Sequence, residues 1–155
     1  MDLVVAKRTQ SGDEHFNSLI SRLDGDLNGR YQSAQSKYDK YNKIDSIDTV
    51  IVAFDQEKPV GCGCFKEYDN ETVEIKRMFV VLDYRGRKIS RLILEELERW
   101  AKELGYSKAI LETGSKQSEA IGLYQKSGYV RIENYGQYKD LPNSLCFEKP
   151  ISTTK

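Results

Sequence analysis

The chain has 155 residues, 24 Lys+Arg balanced by 24 Asp+Glu, and 39% hydrophobic residues. That length predicts one compact domain over residues 1–155, and the zero net charge excludes a global field for nucleic acid or an anionic membrane surface. No apolar run reaches the roughly 20 residues of a membrane-spanning helix, and the opening Met1-Asp2-Leu3-Val4-Val5-Ala6-Lys7-Arg8 is too short and too soon charged for a signal peptide, so a cytoplasmic protein is expected.

Leu3 to Arg8 reads as a first strand. Ser11-Gly12-Asp13-Glu14 offers a helix start, and Phe16, Leu19, Ile20 and Leu23 follow at helical spacing. Asp24-Gly25-Asp26 is expected to break that helix before a second, tyrosine-rich one from about Leu27 to Tyr41. Thr49 to Phe54 is a strand by its β-branched content. Asp55-Gln56-Glu57-Lys58 turns the chain, Pro59 to Tyr68 returns, Asp69-Asn70-Glu71 turns again, and Thr72 to Val81 closes a three-strand meander. The period then changes from two to three and four. Ile89, Leu92, Ile93, Leu97, Trp100, Ala101 and Leu104 form the inward stripe of an amphipathic helix ended by Gly105.

Ser107 to Glu112 is a short strand. Ser118 to Lys126 is a helix with Ala120, Ile121, Leu123 and Tyr124 inward, and Gly128 ends it. Tyr129 to Ile132 and Leu145 to Glu148 complete the strands. The predicted fold is mixed α/β (α+β): a mostly antiparallel central sheet flanked by helices, with one βαβ crossover. Cys62, Cys64 and Cys146 are odd in number, and the only histidine is His15. They suit free thiols in the core better than a disulfide framework or a four-ligand zinc site. His15 is expected to be solvated, and no metal site is expected.

The strand Glu74-Ile75-Lys76-Arg77-Met78-Phe79-Val80 runs into the cationic loop Arg85-Gly86-Arg87-Lys88-Ile89-Ser90, which opens directly onto the long helix. A helix N-terminus carries unbonded N–H groups and about half a positive charge, so it suits a phosphate or diphosphate. Gly86 permits close backbone approach, and Arg85, Arg87 and Lys88 add counter-charge. The bland reading is a basic turn before a helix. The loop contains no G-x-x-x-x-G-K-[ST] sequence and only one glycine, which rules out a Walker loop and a dinucleotide fingerprint.

The loop resembles the acyl-CoA-binding signature of the GNAT N-acetyltransferases, Q/R-x-x-G-x-G/A, with Lys88 at the usual glycine and Ser90 at the usual Gly/Ala. Gln117-Ser118-Glu119-Ala120-Ile121-Gly122-Leu123-Tyr124-Gln125-Lys126-Ser127-Gly128-Tyr129 is similar to that family's N-x-x-A-x-x-L/F-Y-x-x-x-G-F/Y, with Gln117 at the usual asparagine. The resemblance covers residues 48 to 132 well and the whole chain in element order. It implies a transferase that moves an acetyl group from acetyl-CoA to an amine acceptor, with no nucleic acid or membrane partner, as a monomer or homodimer. It implies that Met78, Phe79 and Val80 pair with the pantetheine arm, that residues 85 to 90 hold the diphosphate, and that Gln117 lies at the cofactor. It also implies that Tyr124 faces the thioester sulfur and that Glu74 is the general base. The alternatives stay open at this point: Tyr124 as core packing, Glu74 as half of an ion pair with Glu112 as rival base, and the chain as a non-enzymatic acyl-CoA-binding or regulatory module. Tyr31, Tyr38, Tyr41, Tyr135 and Tyr138 suit a substrate wall or ordinary surface amphiphiles. Asp24 and Asp26 suit an amine or a helix junction.

Overall fold

The computed structural model describes residues 3–30 and 47–151. The expected Tyr31, Tyr38 and Tyr41 wall, and the side chains of Asp24 and Asp26, lie outside what is described. Seven strands occur among the described residues: β1 (Val4–Thr9), β2 (Val50–Asp55), β3 (Lys58–Asp69), β4 (Thr72–Val80), β5 (Lys108–Gly114), β6 (Val130–Ile132) and β7 (Ser144–Pro150). Three helices accompany them: α1 (Glu14–Arg30), α2 (Ile89–Glu103) and α3 (Ser118–Lys126). The hydrogen-bonded strand order is β1-β2-β3-β4-β5-β7-β6. β1–β2, β2–β3, β5–β7 and β6–β7 pair antiparallel, and β4–β5 is parallel across the α2 crossover. The mixed, mostly antiparallel α/β reading therefore holds. Among the described residues no helix is long and apolar enough to cross a membrane.

Contacts divide the chain into two compact units, Met1–Phe65 with Arg77–Leu97, and Lys66–Lys76 with Glu98–Lys155. In the first, β2 is buried throughout Val50–Ala53 and Phe16, Leu19 and Leu23 of α1 are buried. Gly61 and Gly63 bring β3 close to α2. A Cβ on Gly61 would lie 3.0 Å from Ile93 Cδ1, and one on Gly63 would lie 2.5 Å from Met78 Sδ. A larger residue at Gly61 crowds Ile93 of α2 and the Phe79 carbonyl, and one at Gly63 forces the Met78 side chain of β4 to move. In the second unit, Ala109, Ile110, Leu111, Tyr124, Tyr129, Cys146 and Phe147 form the buried core. All three cysteines are buried and outside any disulfide.

Three expectations need correction. α1 runs without interruption through Asp24-Gly25-Asp26 to Arg30, because a single glycine costs a helix only about 1 kcal/mol and does not by itself end one. The buried stripe of α2 is Ile89, Ile93, Leu94, Leu97 and Ala101, while Leu92 (36% exposed) and Leu104 (55% exposed) face out. Leu92 sits on the edge of that stripe, and Leu104 falls past the last helical residue, where Gly105 (φ +99°) turns the chain. On α3 only Tyr124 is buried, and Ala120, Ile121 and Leu123 are half-buried.

Candidate active site

In the first unit, β4 delivers the cationic loop. Arg77 takes a left-handed φ of +59° within the strand, which breaks the alternation before Met78. Met78 is half-buried, and Phe79 and Val80 are buried. The Val81 N–H donates to the Val60 carbonyl at 2.9 Å, and a single 3-10 turn over Leu82–Tyr84 follows. The backbone then makes two left-handed steps, Gly86 at φ +82° and Lys88 at φ +65°. Lys88 thus holds the backbone conformation that glycine adopts freely and other residues adopt at a cost. Its carbonyl accepts the first helical bond, from the Leu92 N–H at 3.1 Å. The N–H groups of Ile89 and Ser90 precede that bond and have no helical acceptor. Among the described residues nothing lies within 4 Å of where a Gly86 Cβ would sit, which leaves room there for an anion.

The loop's arginines are used to shape it. Arg85 Nε donates to the Val80 carbonyl at 2.8 Å, and its guanidinium lies 5.6 Å from the Phe79 ring centroid. Arg87 lies over the Tyr84 ring at 4.6 Å, and Lys58 over the same ring at 5.2 Å. The Tyr84 hydroxyl donates to Asp55 Oδ2 at 2.6 Å, which ties the loop to the β2–β3 turn. Lys88 itself is exposed.

In the second unit, a polar cluster sits on one face of β4, β5 and β7. The β4–β5 ladder pairs Glu74 with Ile110 and Ile75 with Leu111, and Lys76 and Glu112 are the next residues along the two strands. Glu112 in turn pairs with Cys146 of β7. Glu74 is 3% and Lys76 7% exposed. Glu74 Oε2 accepts from the Tyr135 hydroxyl at 2.9 Å, and its Oε1 is 3.9 Å from Lys76 Nζ. Lys76 Nζ also donates to the Tyr138 hydroxyl at 3.4 Å. The ion-pair alternative for Glu74 is therefore realised in the geometry. Glu112 is half-buried and accepts from the Ser144 hydroxyl at 2.7 Å. Burial pushes its carboxyl up from 4.5 to about 7, and the nearby Glu74 adds to the rise, while the Ser144 hydrogen bond and Lys76 oppose it.

Tyr124 packs with ring centroids 5.8 Å from Tyr129 and 6.4 Å from Phe147. Burial, and secondarily the charge of Glu112, holds its phenol well above the ordinary tyrosine range. It therefore stays protonated at neutral pH and has a proton to donate. Gln117 caps α3, accepting from the Ile121 N–H at 3.0 Å through its carbonyl, with no side-chain capping bond. His15 is exposed, edge-on to Phe54 with ring centroids 5.3 Å apart.

Residues 16–129 match the Acetyltransferase (GNAT) family. The chain belongs to this family. It is 41% identical over 93 residues to the IAA acetyltransferase of Azospirillum brasilense, covering 59% of this chain and 61% of that protein. It is 31% identical over 101 residues to the N-acetyltransferase YsnE of Bacillus subtilis (strain 168), covering 64% of this chain and 67% of the relative. The match thus leaves about a third or more of each relative's own length uncovered. Among solved structures, an acyl-CoA N-acyltransferase assignment from Klebsiella pneumoniae superposes with a TM-score of 0.78 at 25% identity, over 96% of this chain and 98% of that one. The PaiA N-acetyltransferase of Thermoplasma acidophilum, in complex with coenzyme A, gives 0.72 at 19% identity over 96% and 99%.

Within this GNAT chain, the signature loop and the A-x-x-L-Y helix both form as the motif spacing predicts. Lys76, Ser144 and the Tyr135–Glu74 hydrogen bond were not singled out by sequence. Strand alternation gave one available signal, since it sets Lys76 on the Glu74 face. The partners of Glu74 and Glu112 lie 61 and 32 residues away, and no local pattern marks them.

Proposed function

We propose that the chain is an acetyl-CoA-dependent N-acetyltransferase that acts on a primary amine of a small molecule, amino acid or peptide by direct attack. The observation that carries this reading is the acetyltransferase family match over residues 16–129; Glu112, half-buried and bonded by the Ser144 hydroxyl, with its carboxyl lifted by burial to about 7, supplies a base. A carboxylate with that value takes up a proton at neutral pH, which is what an ammonium acceptor requires of its base. The left-handed Gly86 and Lys88 and the open N–H groups ahead of α2 fit a diphosphate held over residues 85 to 90. Met78, Phe79 and Val80 of β4 take the pantetheine arm in this reading, and Gln117, at the start of α3, is a further cofactor contact.

Acetyl-CoA supplies the acetyl group and the thiolate leaving group. Glu112 removes one proton from the incoming ammonium. The amine nitrogen forms the new N–C bond, the C–S bond breaks, and the second nitrogen proton is lost as the amide forms. Tyr124 donates to the departing thiolate, which ends as the thiol. Of the three ammonium protons, one stays on the amide, one ends on sulfur and one reaches solvent by way of Glu112. Glu74, expected from sequence as the base, takes the role of ion-pair partner to Lys76. The family match runs through residues 16–129 and hence through both compact units, which supports one acyltransferase domain.

The test is CoA release from acetyl-CoA against a panel of primary amines, with IAA included because of the Azospirillum relative's name. Turnover on an amine that falls about a hundredfold or more in Glu112→Gln supports the reading. Failure to bind acetyl-CoA at all sinks it. Binding without turnover on any acceptor favours the non-enzymatic acyl-CoA module.

A further inference from the structure

We propose that Lys76 and Glu74 are positioning residues that tune the ionisation of Glu112 in opposite directions, on top of what its burial and Ser144 impose. The inference rests on the reading of Glu112 as the general base. Lys76 and Glu112 each stand one residue past the last pair of the parallel ladder, Ile75 and Leu111, so strand alternation sets both on the Glu74 face of the sheet. Lys76 Nζ lies 3.9 Å from Glu74 Oε1 and donates to the Tyr138 hydroxyl at 3.4 Å. Glu74 is fixed in turn by the Tyr135 hydroxyl at 2.9 Å. Tyr135 and Tyr138 brace each other edge-to-face at 5.5 Å, and Tyr135 meets Tyr68 at 5.4 Å. Asn134 Nδ2 donates to the carbonyls of Tyr138 at 3.1 Å and Ser144 at 3.0 Å, which pins the loop carrying both tyrosines.

A cation and an anion are thus locked into a buried surface beside a carboxyl that must gain and lose a proton. In such a setting each charge acts with little screening. Lys76 favours the Glu112 carboxylate and Glu74 disfavours it, which matches the sign of each one's effect on Glu112. The remaining groups that face Glu112 are Ser144 and Cys146 of β7, Tyr138 of the β6–β7 loop and Tyr124 of α3. The Ser144 hydroxyl steadies the carboxylate by donation. Burial holds Tyr124, Tyr138 and Cys146 above their ordinary values, with Cys146 pushed up to about 11. They stay neutral while Glu112 titrates, so the charged pair adds its field to the larger effects of burial and the Ser144 hydrogen bond.

The experiment follows the Glu112 side-chain carboxyl by carbon NMR of glutamate-labelled protein through a pH titration, in wild type, Lys76→Met and Glu74→Gln. The peak is assigned by its loss in Glu112→Gln. The midpoint is expected to rise by about one unit or more in Lys76→Met and to fall in Glu74→Gln. A midpoint unmoved in both, or moved in the same direction, overturns the proposal. Should Lys76→Met fail to fold, Glu74→Gln alone decides, since Lys76 is then unopposed and the midpoint must fall. The acidic limb of the pH–rate profile for CoA release is recorded in parallel. If the NMR midpoints move as expected and that limb does not follow them, the proposal stands and the assignment of Glu112 as base fails.

Discussion

Glu112 holds its proton at a pH where most glutamates have lost theirs, and that has a thermodynamic signature separate from catalysis. Its folded pKa, about 7 against 4.5, is raised chiefly by burial. The folded chain therefore binds this proton more tightly than the unfolded chain. The stability linked to that proton is full below about pH 4.5 and is lost as pH rises toward 7, a change of at most ~3 kcal/mol. Glu112→Gln should unfold at higher urea than wild type at about pH 8 and match it at about pH 5, because glutamine carries no charge to desolvate. Equal midpoints for the two proteins at both pH values would refute the burial argument. Tyr124 calls for the complementary measurement. If its buried hydroxyl serves the thiolate, Tyr124→Phe lowers turnover about a hundred- to ten-thousand-fold and leaves the CoA dissociation constant nearly intact. Unchanged turnover would make it a core residue against Phe147 and Tyr129.

At the level of elements, the loop between β4 and α2 joins the sequence motif to its physical requirement. The signature's glycine position is occupied by lysine, yet the backbone there stays left-handed. Relief of that conformation by Lys88→Gly gains about 1–2 kcal/mol, against about 0.5–1 kcal/mol of added chain entropy. Its melting temperature should equal or exceed wild type, and Lys88→Val should melt lower. Gly86→Val should weaken CoA binding, measured by calorimetry, more than it lowers turnover at saturating donor. An unchanged affinity would mark the loop as a turn and nothing more. These elements were legible because their signals are local: period-two and period-3.6 patterns, a glycine after α2, and a motif within six residues. The insertion of β7 between β5 and β6 was not legible, nor were the Ser144 and Tyr135 bonds to the carboxylates. Antiparallel register between distant strands is set by packing, which leaves no spacing to read. The persistence of α1 past Gly25 was missed for a related reason, since tertiary support outweighs the cost of a single weak helix residue.

For the whole molecule, the charge balance sharpens what ligand binding must look like. With 24 cationic and 24 acidic side chains there is no global field to attract a polyanion. Any affinity for CoA then comes from local features: the open N–H groups ahead of α2 and the cations Arg85, Arg87 and Lys88. Two of these cations lie against Phe79 and Tyr84 and shape the loop, although Arg87 is exposed as Lys88 is, while Arg85 is half-buried. The salt dependence of CoA binding should accordingly be shallow, and Lys88→Gln should make it shallower still. A ligand that binds only the folded chain stabilises it by mass action, about 2.7 kcal/mol at a hundred times its dissociation constant. For a chain of this size that corresponds to a rise in melting temperature of roughly 5–10 °C. A thermal shift with millimolar CoA should give such a rise in wild type and a smaller one in Gly86→Val. No shift together with no heat of binding would remove the acyl-donor reading of residues 85 to 90. The strand order and the family membership would remain, since both rest on the chain's own pairing and sequence and neither depends on a bound ligand.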